Sequence, residues 1–294
     1  YRQDRNGAAP MGYWTAAEYE PMDRRGMSEL LHIGGMYRLL DGLKAKHPTL
    51  SMDNCASGGR RIDIEMARRM VPLHRTDWQP QGGAVQTSTP AQGIMLGLSP
   101  WVPLQGPSYS SGTGGANNKH NLTLFLSELS STDTTTFDTR NTIAWTEQLT
   151  WLNAAQRIRP LLIQDFYPLT GWSIDESGWL AYQWCRWDSQ LGSDRTDDKP
   201  LRREEGTVSC AVQAFRRWGS HTVSNTLRLY GLHASTKYII SDWLESRPQE
   251  EQADSDTVIR TGASLMEHGL EVLIEGQPGA TMLLITAVHV EVRQ

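Results

Sequence analysis

The stretch TLSMDNCASGGRRIDIEMARRMVPLHRTD, residues 49–77, decides the fold. Thr49 to Asp53 is a short extended segment that runs into a turn at Gly58-Gly59. Ile62 to about Arg69 has helical spacing, and Met70 to Arg75 is extended again and ends at Thr76-Asp77. Upstream, Leu30, Leu31, Ile33, Met36, Leu39, Leu40 and Leu43 recur at helical spacing behind an N-cap at Ser28, until His47-Pro48 stops the run. Helix, strand, helix, strand with short connections is the rhythm of a parallel α/β structure. In such folds chemistry collects at the carboxyl ends of the strands. Asp4, Asn54-Cys55 and Asp77 all fall at that kind of position.

Downstream the texture changes twice. Gln79 to Asn118 is rich in Gly, Ser, Thr, Pro and Gln around an apolar island at Ile94 to Leu104, and reads as long loops on the active face. Leu122 to Leu129 reads as a strand. Asn141 to Arg159 reads as a helix with Trp145, Leu149, Leu152 and Ala155 on one side, closed by Pro160. After Tyr167-Pro168 come short alternating segments at Trp179 to Trp184, Gly206 to Phe215, Thr226 to Leu229, Tyr238 to Ser241, Leu270 to Ile274 and Met282 to Ala287. That is the pattern of an antiparallel β-sandwich. The expected division is therefore an α/β unit at 1–170 and a β unit at 171–294.

Composition narrows the function. A net charge of -5 without a basic run argues against nucleic acid and anionic membranes as partners. No stretch reaches the roughly 18 apolar residues of a membrane-spanning helix. Cys55, Cys185 and Cys210 form a sparse, odd set that suggests neither a disulfide framework nor a zinc site. Gly58-Gly59 has no Walker or Rossmann spacing around it, so close approach of backbone to a sugar is its better use. The 11 Trp against 4 Phe fit that reading, because indole faces pack on sugar C–H groups.

Asp4, within Arg2-Gln3-Asp4-Arg5-Asn6, and Asp77, within His74-Arg75-Thr76-Asp77-Trp78, are a carboxylate pair carried on separate strand ends. One carboxylate to attack a sugar carbon and one to protonate the leaving oxygen suffice to break a glycosidic bond. Arg2 is suited to keep Asp4 ionised, and Trp78 is suited to desolvate Asp77. A retaining reaction requires the two carboxyl groups to stand about 5–5.5 Å apart. Asp53 and Asp63 are weaker competitors, with Asp63 placed to bond helix N–H groups or to pair with Arg61.

These motifs, together with Asp23-Arg24-Arg25-Gly26-Met27-Ser28-Glu29, Asp165-Phe166-Tyr167-Pro168-Leu169, Trp179-Leu180-Ala181-Tyr182-Gln183 and the segment from Gly262 to Leu270, resemble the melibiase-type α-galactosidases of glycoside hydrolase family 36. The resemblance implies a partial (β/α)8 TIM barrel from roughly its fourth strand onward, followed by a C-terminal antiparallel β-sandwich. It implies a retaining mechanism with Asp4 as nucleophile and Asp77 as general acid and base. Arg2, Asn6, Asn54, Cys55 and Gly58 would contact substrate. It further implies an α-galactoside oligosaccharide substrate, no metal or organic cofactor, and a homo-oligomer. Gln3, Arg5 and Arg60 depart from the family pattern, which leaves the choice of sugar open. The alternatives are an α-N-acetylgalactosaminidase and a carbohydrate-binding protein without turnover. The first motif begins at residue 2, and a chain cut just upstream of its own site is expected to fold poorly alone.

Overall fold

The computed structural model describes residues 1–4, 19–56, 58–77, 88–106, 108–111, 122–132, 134–137, 145–189, 206–244 and 258–288. The α/β portion starts with β1 (Arg2–Gln3) and β2 (Asp53–Asn54), which pair in parallel with Arg2 opposite Asp53. Val71 adds a parallel bridge on the other side of Asp53. Three successive extended segments therefore point the same way, as the helix–strand rhythm requires.

Between β1 and β2 lies α1 (Met27–Lys46). Its cap is Gly26, at a left-handed φ of 89°, and the Glu20 carboxylate accepts from the Gly26 and Ser28 N–H groups and from the Ser28 hydroxyl. Ser28 is thus not the N-cap. It sits in the first turn because Glu20 already satisfies the free amides there. Leu40 of α1 packs with Met52, Met66 and Met70 in a small core of its own. Helix α2 (Ile64–Ala67) is short and begins at Asp63, whose side chain accepts from the Met66 N–H at 2.9 Å.

Two segments differ from their sequence reading. The apolar island expected in a loop, Ile94 to Leu104, begins within α3 (Ser88–Leu98). Pro90 is tolerated in its first turn, and Ala91, Gln92, Met95 and Leu96 are buried. Leu122 to Leu129, expected as a strand, forms α4 (Leu122–Glu128). A short apolar run buried on nearly every side carries no period that tells helix from strand. Strands β3 (Ser108–Ser111) and β4 (Thr134–Phe137) pair in parallel. The next helix, α5 (Trp145–Ile158), faces inward with Trp151, Ala154, Ala155 and Ile158, whereas Leu149 is exposed. Its buried stripe is therefore rotated from the one expected.

The remainder is a six-stranded antiparallel sheet in the order β10–β9–β12–β7–β6–β5. Its strands are β5 (Asp165–Pro168), β6 (Trp179–Ser189), β7 (Gly206–Arg216), β9 (Lys237–Asp242), β10 (Val258–Thr261) and β12 (Gly279–Ala287). β8 (Ser224–Leu227) and β11 (Leu270–Leu273) form a separate antiparallel pair, and α6 (Gly262–Glu267) follows β10. Alternation sorts the side chains. Leu180, Tyr182, Trp184, Ala211 and Phe215 face α3, α4 and α5, while Ala181, Cys185, Cys210, Val212 and Ala214 face β8, β11 and α6. The expectation of no disulfide is overturned for one pair: Cys185 and Cys210 are direct cross-strand partners on β6 and β7 and are joined. Among the described residues no helix is long and apolar enough to cross a membrane.

Candidate active site

The site lies where β1, β2 and the segment after Val71 end side by side. Arg2, at the start, donates through Nη1 to Asp53, and its Nη2 stands 3.2 Å from Asp4 Oδ2. The guanidinium is thus shared between the two carboxylates. Asp53 also accepts the Leu73 N–H at 3.1 Å, so its carboxylate latches neighbouring segments together.

Cys55 follows β2, and its backbone N–H donates to the Gln3 carbonyl at 3.3 Å. Its buried thiol lies between the Gly58 N–H and the Asp4 carboxylate. Burial pushes this thiol up, and the Asp4 charge adds to that, against the opposing pull of Gly58 and Arg2. Cys55 therefore stays a thiol at neutral pH, able to donate to Asp4.

Gly58 and Gly59 carry the turn across to Asp77. Their φ values are 68° and 94°, the left-handed region that favours glycine. A Cβ on Gly58 would lie 2.3 Å from the Asp77 backbone nitrogen and 2.5 Å from its carboxyl carbon, and one on Gly59 would lie 2.1 Å from the Arg75 carbonyl oxygen. The turn is thus pressed directly against the 75–77 segment. Asp4, Cys55, Gly58 and Asp77 form an unbroken chain of neighbours.

Asp77 accepts or donates through Oδ1 at 2.9 Å from His74 Nε2, and its side chain is 69% exposed. The desolvation expected around it is not provided by the described residues. Trp78, expected to supply it, and Asn6 and Arg5 of the first motif lie outside the described residues. Asn54 is buried and donates through Nδ2 to the Arg61 carbonyl at 2.7 Å. In this arrangement it braces the turn.

Sequence reasoning missed the role of Arg61. Of the two roles expected of Asp63, capping a helix and pairing with Arg61, the structure shows the cap at α2. The Arg61 guanidinium donates to the Gln3 side chain at 3.2 Å, the Gln3 carbonyl at 3.0 Å and the Cys55 carbonyl at 2.6 Å. It clamps the ends of β1 and β2, and it gives Gln3, a departure from the family pattern, a defined partner. The signal was the polar Gln3 itself, which beside a buried strand end requires a donor.

No protein-family model and no curated protein matches this sequence. Solved structures do match. The family 36 α-galactosidases AgaA and AgaB of Geobacillus stearothermophilus each align over 98% of this chain at 18% identity, with TM-scores of 0.65 and 0.64. The α-galactosidase of Lactobacillus brevis aligns over all of it at 14% identity and a TM-score of 0.66. The chain has the fold of the corresponding part of a family 36 α-galactosidase. It spans about a third of the length of these structures, 35% of AgaA and 36% of the Lactobacillus brevis protein. AgaA variants have been solved with 1-deoxygalactonojirimycin and with stachyose.

Proposed function

We propose that this chain carries the catalytic centre of a retaining exo-α-galactosidase of glycoside hydrolase family 36, acting on terminal α-linked galactose of oligosaccharides or glycans. The observation that carries the reading is the Gly58-Gly59 turn, which touches Asp77 at one end while Cys55 at its other end touches Asp4. Two carboxylates held against one turn suit a double displacement, because their spacing must hold through both steps. In this reading β1, β2 and the Val71 segment are consecutive strands of a (β/α)8 barrel. The sheet with its β8/β11 cover is the C-terminal sandwich, and the boundary lies near residue 170.

Asp4 attacks the anomeric carbon while Asp77 protonates the departing oxygen. Asp4 then holds the sugar covalently, and Asp77 takes a proton from the water that releases it. Arg2 orients Asp4 through the 3.2 Å ion pair. Cys55 restrains the other side of the same carboxylate, and substrate binding covers the exposed Asp77. Arg2, Cys55 and Gly58 line the sugar pocket with Asn6, and Asn54 supports them from beneath.

The test is hydrolysis of an aryl α-galactoside and an aryl α-N-acetylgalactosaminide by the full reading frame containing this chain, with Asp4→Asn as control. Turnover of the galactoside that falls by at least about 10³-fold in the variant is the expected result, since removing a covalent nucleophile costs that much or more. Turnover of the acetamido sugar alone would reassign the substrate. No turnover of either by folded protein would end the glycosidase reading.

A further inference from the structure

Behind the 74–77 segment lies a buried polar cluster that the double displacement does not use. Arg75, two residues before Asp77, has its Nη2 at 3.7 Å from Glu128 Oε2 at the end of α4, with side chains 0% and 1% exposed. Arg75 Nη1 donates to Gln105 Oε1 at 3.3 Å, and the Arg75 backbone N–H donates to the Gly106 carbonyl at 3.0 Å. The Arg75 carbonyl is the atom against which Gly59 is pressed. One residue therefore joins the buried cluster to the turn and to Asp77.

The buried Tyr182 phenol on β6 faces the pair, and Arg217 just past β7 interacts with the same phenol. Arg217 donates to Gln92 Oε1 at 3.1 Å and to the Asp175 carbonyl at 2.9 Å, and it also interacts with the charges of Asp175 and Glu176. Neither Glu128 oxygen, nor Arg75 Nη2, nor the Tyr182 hydroxyl has a hydrogen-bond partner among the described residues. A buried pair at this separation without a hydrogen bond does not offset the lost hydration of two ions. The couple is consequently poised to change its charge state.

We propose that Glu128 is a positioning residue for Asp77, setting the place of the His74–Asp77 segment through Arg75 according to its own charge. The role of Asp77 as acid and base rests on the glycosidase reading; the coupling of Glu128 to the segment does not. Burial pushes the Glu128 carboxyl up to about 7, with Arg75 pulling the other way. Burial also lowers Arg75 and raises Tyr182, which stays neutral. Glu128 holds its proton more tightly folded than unfolded. Its contribution to stability is therefore full below the ordinary carboxylate range and is lost as pH rises through about 7. Above that pH an ionised Glu128 faces Arg75 and anchors the segment to α4. Below it Arg75 has no counter-charge in Glu128 and the segment relaxes.

The experiment compares the wild-type protein with Glu128→Gln and Glu128→Asp, using an aryl α-galactoside between about pH 5 and 9. The wild-type kcat is expected to rise through an inflection near pH 7 by on the order of tenfold, less than the roughly hundredfold cost of a 1 Å misplacement. Glu128→Gln should lack that rise, Glu128→Asp should keep it, and KM should not move. A rise near pH 7 that persists in Glu128→Gln, or is missing from the wild type, overturns the proposal. If no galactoside is turned over, the glycosidase reading has failed, and the Thr76 amide shift of 15N-threonine-labelled protein decides the positioning instead. A step near pH 7 that disappears in Glu128→Gln supports it, and a shift that follows pH identically in both proteins overturns it.

Discussion

At Gly59 there is no room for a side chain, because the place a Cβ would take lies 2.1 Å from a backbone oxygen of Arg75 that cannot swing away. Gly59→Ala also has to adopt a φ of 94°, a strain of about 1–3 kcal/mol, and overpacking adds a comparable amount. Gly58→Ala meets Asp77 itself. Both variants should lower the thermal midpoint, and Gly58→Ala should in addition lose most of kcat at temperatures where it remains folded. Wild-type kcat in folded Gly58→Ala protein would show that the turn does not position Asp77. The paired glycines were legible in the sequence because a Gly-Gly turn between two strand ends has few other uses. The Arg61 clamp was not, since its partners Gln3 and Cys55 become neighbours only when β1 and β2 pair.

Elements whose burial follows a simple period were legible and those without one were not. β6 and β7 alternate cleanly between two cores, so the observed strands extend the expected segments by only a few residues. Helices α3 and α4 were lost because their apolar residues are buried with little relief from polar ones, and because Gly93 and Gly97 weaken the helical signal in α3. Trp172 lies over those two glycines and donates to the Gly93 carbonyl at 3.0 Å, a tertiary reason for glycine that no local reading supplies. Helix α2 is the opposite case. It is only four residues long, and its start depends on the Asp63 cap. Asp63→Ala should cost about 1 kcal/mol, measured by chemical denaturation, whereas Asp63→Asn should cost much less because its side-chain oxygen still accepts the Met66 N–H. Equal losses in the two variants would mean that Asp63 acts through its charge and not as a cap.

At the scale of the whole molecule, the candidate site stands on the smallest of three buried clusters among the described residues. Its strands rest on the small cluster of Leu40, Met52, Met66 and Met70, whereas the sheet and helices α3 to α5 share a larger core that includes Trp151, Trp184, Phe215 and Trp243. Helix α1 contributes Leu40, with Met36, Tyr37 and Leu43 packed around it, and leaves Leu30, Leu31 and Leu39 exposed. The cystine at Cys185–Cys210 further ties β6 to β7. Opening free energy follows buried apolar contact, so the two portions should separate in hydrogen exchange. Amides of α1, β2 and α2 should exchange through a partial opening well below the free energy of global unfolding, and those of β6 and β7 only on global unfolding. A substrate analogue that bridges Asp4 and Asp77 should slow exchange in the first group and leave the second unchanged, because it binds only the closed form of the site. Uniform protection across both portions, with or without the analogue, would mean that the sheet and the site strands unfold as one unit and that the buried Arg75–Glu128 couple welds them together more firmly than its unpaired atoms suggest.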